Sequence, residues 1–216
     1  MSEPLRVLLI DDHPLFRRGL AQLIEDEADL EVCGEAGSAP EGLEAARELA
    51  PDVVLVDLSL GEGSGLEVVR ALAQRAPELP TLVVSMHEEA LYAERCLRAG
   101  ARGYVRKQEA SETVLDALRQ VLAGEVYTSP AVAQRLLRRV RGDVADAGPV
   151  DRLSDRELEV FQALGRGRGT REIAEALHLS VKTVEGYRAQ IKQKLGLESG
   201  AELVHHAVRW VVERGL

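Results

Sequence analysis

Five short apolar runs limit the fold of this chain more than any other feature: Leu5–Ile10, Leu30–Cys33, Val53–Val56, Thr81–Val84 and Gly103–Val105. Each is continuous rather than alternating, which suits a strand covered on both faces. Amphipathic stretches lie between and after them, at Pro14–Glu25, Pro40–Leu49, Gly65–Ala76, Glu88–Ala99 and Glu109–Leu122. In the third of these, Leu66, Val69, Leu72 and Ala73 recur on one helical face. Five β-α repeats predict an α/β fold: a doubly wound parallel sheet with right-handed crossovers and helices on each side.

The rear of the chain changes character. A helix is predicted over Ser129–Val140, and Arg141–Val150 (RGDVADAGPV) has no periodicity and reads as a flexible linker. Ser154-Asp-Arg-Glu157 then opens a helix as a capping box. Thr170 is placed to cap a second helix, Arg171–Leu177; Ser180 caps a third, Val181–Leu195; Glu202–Glu213 makes a fourth. The expected organisation is residues 1–123 as the (βα)5 domain, 124–150 as linker helix and flexible linker, and 151–216 as a small all-α helix-turn-helix domain. Charge divides similarly. Residues 1–150 carry 16 Lys and Arg against 26 Asp and Glu, whereas 151–216 carry 11 against 10. An acidic front and a near-neutral rear point to different partners.

No apolar run approaches the roughly 20 residues that span a bilayer, so no membrane partner is expected. The opening MSEPLRVLLIDD lacks the form of a signal peptide, because its apolar stretch stops at two aspartates. Cys33 and Cys96 have no metal-site spacing and fit a reduced, cytoplasmic setting. Only four basic residues are lysine: Lys107, Lys182, Lys192 and Lys194. Lys107 thus stands alone in a front part that otherwise carries its positive charge as arginine. Arg is a planar fork, Lys a compact point charge.

In open parallel sheets, ligands bind beyond the carboxyl ends of the strands. Three of those ends are chemically odd here. The first strand ends in Asp11-Asp12, the third in Asp57, and the fifth is followed by Lys107. If the first and third strands are neighbours, three carboxylates converge and repel. A divalent cation and Lys107 are the candidates to compensate. Mg²⁺ prefers oxygen ligands and is commonly held by one or two carboxylates plus a phosphate. The set therefore points to phosphoryl transfer with Asp57 as nucleophile. Singly, each residue has a plainer use, as a helix cap, a turn residue or a surface lysine; together, on these strands in this order, they do not.

Residues 5–123 resemble the receiver domain of two-component response regulators. The resemblance is carried by LLIDDHPLFRRGL, VVLVDLSLGEGSGLEVV, LVVSMHEE and GARGYVRK. It implies that a histidine kinase phosphorylates Asp57, and that Asp11, Asp12, Asp57 and the Ser59 backbone carbonyl surround Mg²⁺. It also marks Ser85 as the hydroxyl that follows the phosphate and Tyr104 as the switch aromatic. Enzymatic activity on other substrates is not implied; the chain would promote transfer onto, and loss from, its own Asp57. Two departures stand out. Leu60-Gly61 replaces the frequent Met-Pro, which predicts a looser loop. Gln108 replaces the frequent proline after the lysine, leaving the geometry of that peptide bond open.

In the rear domain, Val181, Val184, Ile191 and Leu195 form the expected inner stripe of the third helix. Lys182, Thr183, Glu185, Ala189 and Lys192 lie away from it, with Arg188 at its edge; Arg166, Arg168 and Arg171 flank the preceding helix. Such cations position a protein on DNA phosphates. The segment LSDRELEVFQALGRGRGTREIAEALHLSVKTVEGYRAQIKQKLGLESGAELVHHAV resembles the LuxR-type DNA-binding domain. Joined to a receiver, the whole chain is similar to NarL/FixJ-type response regulators. The resemblance implies binding of double-stranded promoter DNA, a homodimer formed on phosphorylation or on DNA, and RNA polymerase as a further partner. Many relatives have lysine at Glu185, histidine at Tyr187 and arginine at Gly200.

The histidines are read as surface or packing residues, except His87, which is placed to border the acidic site. Two rival readings are set aside by the residues themselves. A phosphohydrolase would need a general acid close after the nucleophile and a specificity cap, but Leu58 and Ser59 follow Asp57. A phosphate-independent regulator would not need the intact set of Asp11, Asp12, Asp57, Ser85 and Lys107.

Overall fold

The computed structural model describes residues 3–61, 63–109, 111–141 and 149–214. They fall into two compact units that divide between Arg141 and Gly142.

The first unit is built from β1 (Leu5–Ile10), α1 (Pro14–Glu25), β2 (Leu30–Ala36), α2 (Ala39–Leu49), β3 (Val53–Val56), β4 (Ser59–Leu60), β5 (Gly63–Ser64), α3 (Gly65–Arg75), β6 (Thr81–Ser85), α4 (Glu89–Ala99), β7 (Gly103–Arg106), α5 (Ser111–Leu122) and α6 (Pro130–Val140). The main sheet is parallel, in the order β2-β1-β3-β6-β7. Successive strand residues feed opposite faces. Val7, Leu9, Val53, Leu55, Leu82 and Val84 pack with Leu20 and Ile24 of α1 and Val114, Leu118 and Val121 of α5. Leu8, Ile10, Val54 and Val56 pack with Ala46 of α2 and Val68 and Leu72 of α3. Both faces are covered, which is why the apolar runs are continuous. β2 extends to Ala36, past the expected end at Cys33, because β1 pairs with it as far as Ile10–Ala36.

The domain boundary differs from the sequence expectation. Tyr127 bridges to Gly103 at the end of the sheet, and α6 packs on α4. The Ser129 N–H donates to Glu89 Oε1 at 3.1 Å, and Arg135 Nε lies 3.7 Å from Glu94 Oε2. The expected linker helix is therefore part of the first unit: Val132, its apolar anchor, is buried. Of the expected flexible linker, residues 142–148 lie outside the described residues, and Pro149–Arg152 form a 3-10 turn.

The second unit comprises α7 (Asp155–Gly165), α8 (Thr170–Ala176), α9 (Val181–Leu195) and α10 (Gly200–Arg214). Phe161 meets the edge of Trp210 at 5.6 Å between ring centroids, and Val184, Ile191, Leu203 and Ala207 are buried beside them. The Ser154 capping box forms in both directions, and the Ser180 hydroxyl accepts from the Thr183 N–H at 3.0 Å. Thr170 is not the cap of α8. Gly169 holds that position, and its N–H donates to Glu172 Oε2 at 2.7 Å. The Thr170 side chain is engaged elsewhere. In α9 the inner stripe is narrower than expected. Val184 and Ile191 are buried and Leu195 half-buried, but Val181 is 46% exposed, since it sits in the first turn beyond the reach of the neighbouring helices. No helix among the described residues is long and apolar enough to cross a membrane.

Candidate functional site

Placing β3 between β1 and β6 brings the odd strand ends together. The Asp57 N–H donates to the Ile10 carbonyl at 2.8 Å, so the third strand's tip is fixed against the first. Asp11 and Asp57 are both buried. Lys107 reaches in from the end of β7: its Nζ lies 2.6 Å from Asp11 Oδ2 and 2.7 Å from Asp57 Oδ2. Its ammonium also sits 4.3 Å from the centroid of the Phe16 ring. Burial raises the Asp57 carboxyl above its ordinary pKa, with Asp11 adding to the rise; Lys107 pulls against it but does not cancel it. The second oxygen of Asp57, Oδ1, is buried without a hydrogen-bond partner. A buried anionic oxygen left bare is costly and calls for a cation or a covalent partner.

Asp12 is less buried. Its Oδ2 accepts from the Gly61 N–H at 2.8 Å. The loop after Asp57, expected to be looser for want of Met-Pro, is thus tied to the second carboxylate. It is also closed by the antiparallel pairing of Ser59 with Ser64 and Leu60 with Gly63. Gly65 completes this geometry. A Cβ there would stand 1.9 Å from the Asp57 carbonyl oxygen, so only glycine lets α3 start this close to the acceptor strand.

Ser85, at the end of β6, is wholly buried and its hydroxyl accepts from the His87 N–H at 3.3 Å. Tyr104 lies inside the fold, and its phenol donates to the His87 carbonyl at 2.9 Å. Burial pushes that phenol far above its ordinary pKa, with Ser85 opposing through a hydrogen bond. Ser59 is half-buried, its hydroxyl 3.1 Å from His87 Nε2. The Lys107–Gln108 bond is trans, as are all peptide bonds among the described residues.

His13 gains a place that the sequence reading did not give it, and His87, expected to border the acidic site, gains its partners. His13 Nδ1 lies 2.7 Å from Asp12 Oδ1 and 3.6 Å from Asp57 Oδ2, so His13 faces the acidic cluster. Its position directly after Asp12 was the available signal. His87 ties Ser85, Tyr104 and Ser59 together and stacks on Tyr92 of α4 at 4.5 Å. Sequence spacing carried no sign of that hub, since its partners come from four separate elements. Asp11, Asp12, His13 and Asp57 each offer an atom within 4.8 Å of the others. Three carboxylates, the bare Asp57 Oδ1 among their oxygens, suit a hard divalent cation.

In the second unit, Arg166, Arg168, Arg171, Lys182, Thr183 and Glu185 are exposed, and Arg188 and Lys192 are partly covered. Lys194, on the same helix, turns away from them to Glu157 of α7. Thr170 Oγ1 donates to Glu185 Oε1 at 3.0 Å and accepts from Arg188 Nη1 at 2.5 Å.

The two units define a class: a receiver with an acidic strand-end pocket, carried with a helix-turn-helix. Residues 7–119 match the family model described as "Response regulator receiver domain", and residues 151–207 match "Bacterial regulatory proteins, luxR family". The chain belongs to the NarL/FixJ-type response regulators, which join these two modules. It is 38% identical to the response regulator GacA of Pseudomonas aeruginosa over 95% of this chain and 96% of that protein. It is 40% identical to the transcriptional activator protein ExaE of Pseudomonas putida over 94% and 95%. Among solved structures, it is similar to RcsB of Salmonella enterica serovar Typhimurium, bound to promoter rprA in the presence of phosphomimetic BeF3-. That match has a TM-score of 0.60 and 25% identity, covering 95% of this chain and 99% of that one. The response regulator ChrA of a heme-sensing two-component system matches with a TM-score of 0.53 and 30% identity, over 97% and 98%.

Proposed function

We propose that this response regulator is switched by a histidine kinase, which transfers a phosphoryl group to Asp57, and that the phosphorylated chain binds promoter DNA as a dimer in the cytoplasm. The observation that carries this reading is the Asp57 carboxylate: one oxygen held by Lys107 at 2.7 Å, the other buried and bare. An Asp57 oxygen attacks phosphorus as the P–N bond of a phosphohistidine breaks. The imidazole leaves with that electron pair and takes up a proton. Mg²⁺, when bound, would neutralise charge on the transferring group, and Asp11, Asp12, Asp57 and the Ser59 carbonyl would hold it. Lys107 then pairs with a phosphate oxygen and Ser85 donates to another. Tyr104 and His87 sit where that rearrangement would be felt. The same residues would promote hydrolysis of the phosphoaspartate, with no other substrate.

On the DNA side, α9 would enter the major groove. Arg166, Arg168, Arg171 and Lys192 are assigned to phosphates; Lys182, Thr183, Glu185 and Arg188 face or support the base edges. Exposed Val208 and Val212 on α10, at 37% and 72%, offer a dimer contact. Leu15, 86% exposed on α1 beside the pocket, offers one for the kinase. RNA polymerase would be met only on the promoter. Incubation with acetyl phosphate and Mg²⁺, followed by intact mass and sedimentation, tests the proposal. One phosphate per chain and a shift to dimer are expected. Equal labelling of Asp57→Ala removes the acceptor assignment, and an unchanged sedimentation removes the dimer.

A further inference from the structure

Glu185 is an anion on a helix otherwise armed with cations, and DNA phosphates repel it. The structure shows how the charge is managed. Two donors converge on one oxygen: Thr170 Oγ1 at 3.0 Å and Arg188 Nη1 at 3.5 Å both address Oε1. Among the described residues none is found on Oε2, and the Glu185 side chain stays 57% exposed while Arg188 is only 22% exposed. Thr170 has a single hydroxyl proton and gives it to Glu185, while its lone pairs take the Arg188 guanidinium at 2.5 Å. The three side chains thus form a closed triangle across α8 and α9, with fixed donor directions. Both longer side chains are held before any ligand arrives, which cuts the entropy lost on binding.

We infer that Glu185 is a preset hydrogen-bond acceptor that reads cytosine in the major groove, and that Thr170 and Arg188 are its positioning residues. This rests on the reading that α9 lies in that groove. Cytosine and adenine both present an amino donor there, but adenine places the N7 acceptor beside it. A carboxylate oxygen is repelled by N7 and not by the cytosine edge. Arg188 neutralises the carboxylate locally, so Glu185 can approach the duplex. Its Nη1 is engaged by Thr170 and Glu185. Thr170, at the first position of α8, is not its cap, since Gly169 holds that position.

The test uses the full-length chain with acetyl phosphate and Mg²⁺. Duplexes are selected from a random pool by the unsubstituted protein, and each base pair is then varied in turn by fluorescence anisotropy. One position should prefer cytosine on one strand by about tenfold or more. Glu185→Ala should flatten that position alone. Thr170→Val, which removes only the hydroxyl, should reduce the same preference by about threefold or more and leave affinity for unrelated DNA unchanged. Thr170→Ser should restore it. Preferences unchanged in Glu185→Ala or Thr170→Val overturn the inference. So does a uniform loss across all sequences in Thr170→Val, which would make the triangle a helix–helix tie only. Lys182→Ala is the separate control for the groove reading. If it, Glu185→Ala and Thr170→Val all leave affinity and salt dependence untouched, α9 is not on the DNA and both readings fall.

Discussion

Lys194 and Glu157 are joined across α9 and α7, with Nζ 2.6 Å from Oε2, and Glu157 is 1% exposed. One of the three lysines on α9 is therefore engaged in holding that helix in place. The same carboxylate closes the Ser154 capping box, with the Ser154 N–H donating to Oε2 at 2.6 Å. Burial works to raise the Glu157 pKa, but Lys194 and Ser154 outweigh it and the net shift is downward.

A depressed carboxylate contributes stability above its unfolded pKa and loses it as pH falls through the folded value. Glu157→Gln should therefore destabilise the second unit at pH 7 by about 1–3 kcal/mol. The gap to the unsubstituted protein should narrow below the ordinary value of 4.5. Urea melts at pH 7 and pH 3.5 give both numbers, and a gap that stays constant with pH would assign the loss to packing instead of charge.

Asp57 gives the opposite sign. Its raised pKa means the folded protein keeps the proton to higher pH, and stability is lost as pH rises from the unfolded value through the folded one. At neutral pH the metal-free pocket is thus strained by charge. Asp57→Asn should raise the melting temperature in EDTA at pH 7, each 1 kcal/mol reading as about 2–8 °C. The difference should fade toward pH 4. Mg²⁺ should stabilise the unsubstituted chain more than the variant. A melting temperature lowered by Asp57→Asn at pH 7 would show that the bond to Lys107 outweighs burial.

Lys107→Arg should not act as a conservative change. The lysine side chain is 3% exposed, wedged between Asp11 and Asp57 and against the Phe16 ring. A guanidinium is bulkier than the ammonium that fits between the two carboxylates, and forcing it in costs about 1–3 kcal/mol. Its fork cannot meet both carboxylates and the ring as a point charge does. The variant should still fold and accept phosphate, but should lose phosphate-dependent dimerisation. Full dimerisation by sedimentation would refute the argument.

The sheet and the pocket were legible because they rest on simple rules. Continuous apolar runs demand two covered faces, and strand-end carboxylates have no packing use. Four features were not legible, each for a physical reason. Gly65 is required by a contact of backbone with backbone, which no residue pattern displays. His87 gathers partners from separate elements. Lys194 looks like Lys182 and Lys192 in sequence, and only the position of α7 distinguishes it. The α6 helix was read as linker because its partners lie on α4, far away in sequence: the Arg135–Glu94 pair and the cover over Val132 exist only once α4 is in place.

Gly186 separates folding from binding. A Cβ built there meets nothing within 4 Å, so alanine fits the free protein. Glycine inside a helix costs about 1 kcal/mol relative to alanine, and Gly186→Ala should stabilise the second unit by roughly 0.5–1 kcal/mol. The residue lies next to Glu185 on the exposed side of α9. If α9 enters the groove with this face toward the DNA backbone, the added methyl obstructs the approach and affinity falls by a similar factor for every sequence. A variant that melts higher yet binds more weakly is the expected outcome. Higher stability with unchanged affinity would mean that Gly186, about 100° around the helix from Glu185, faces away from the DNA backbone.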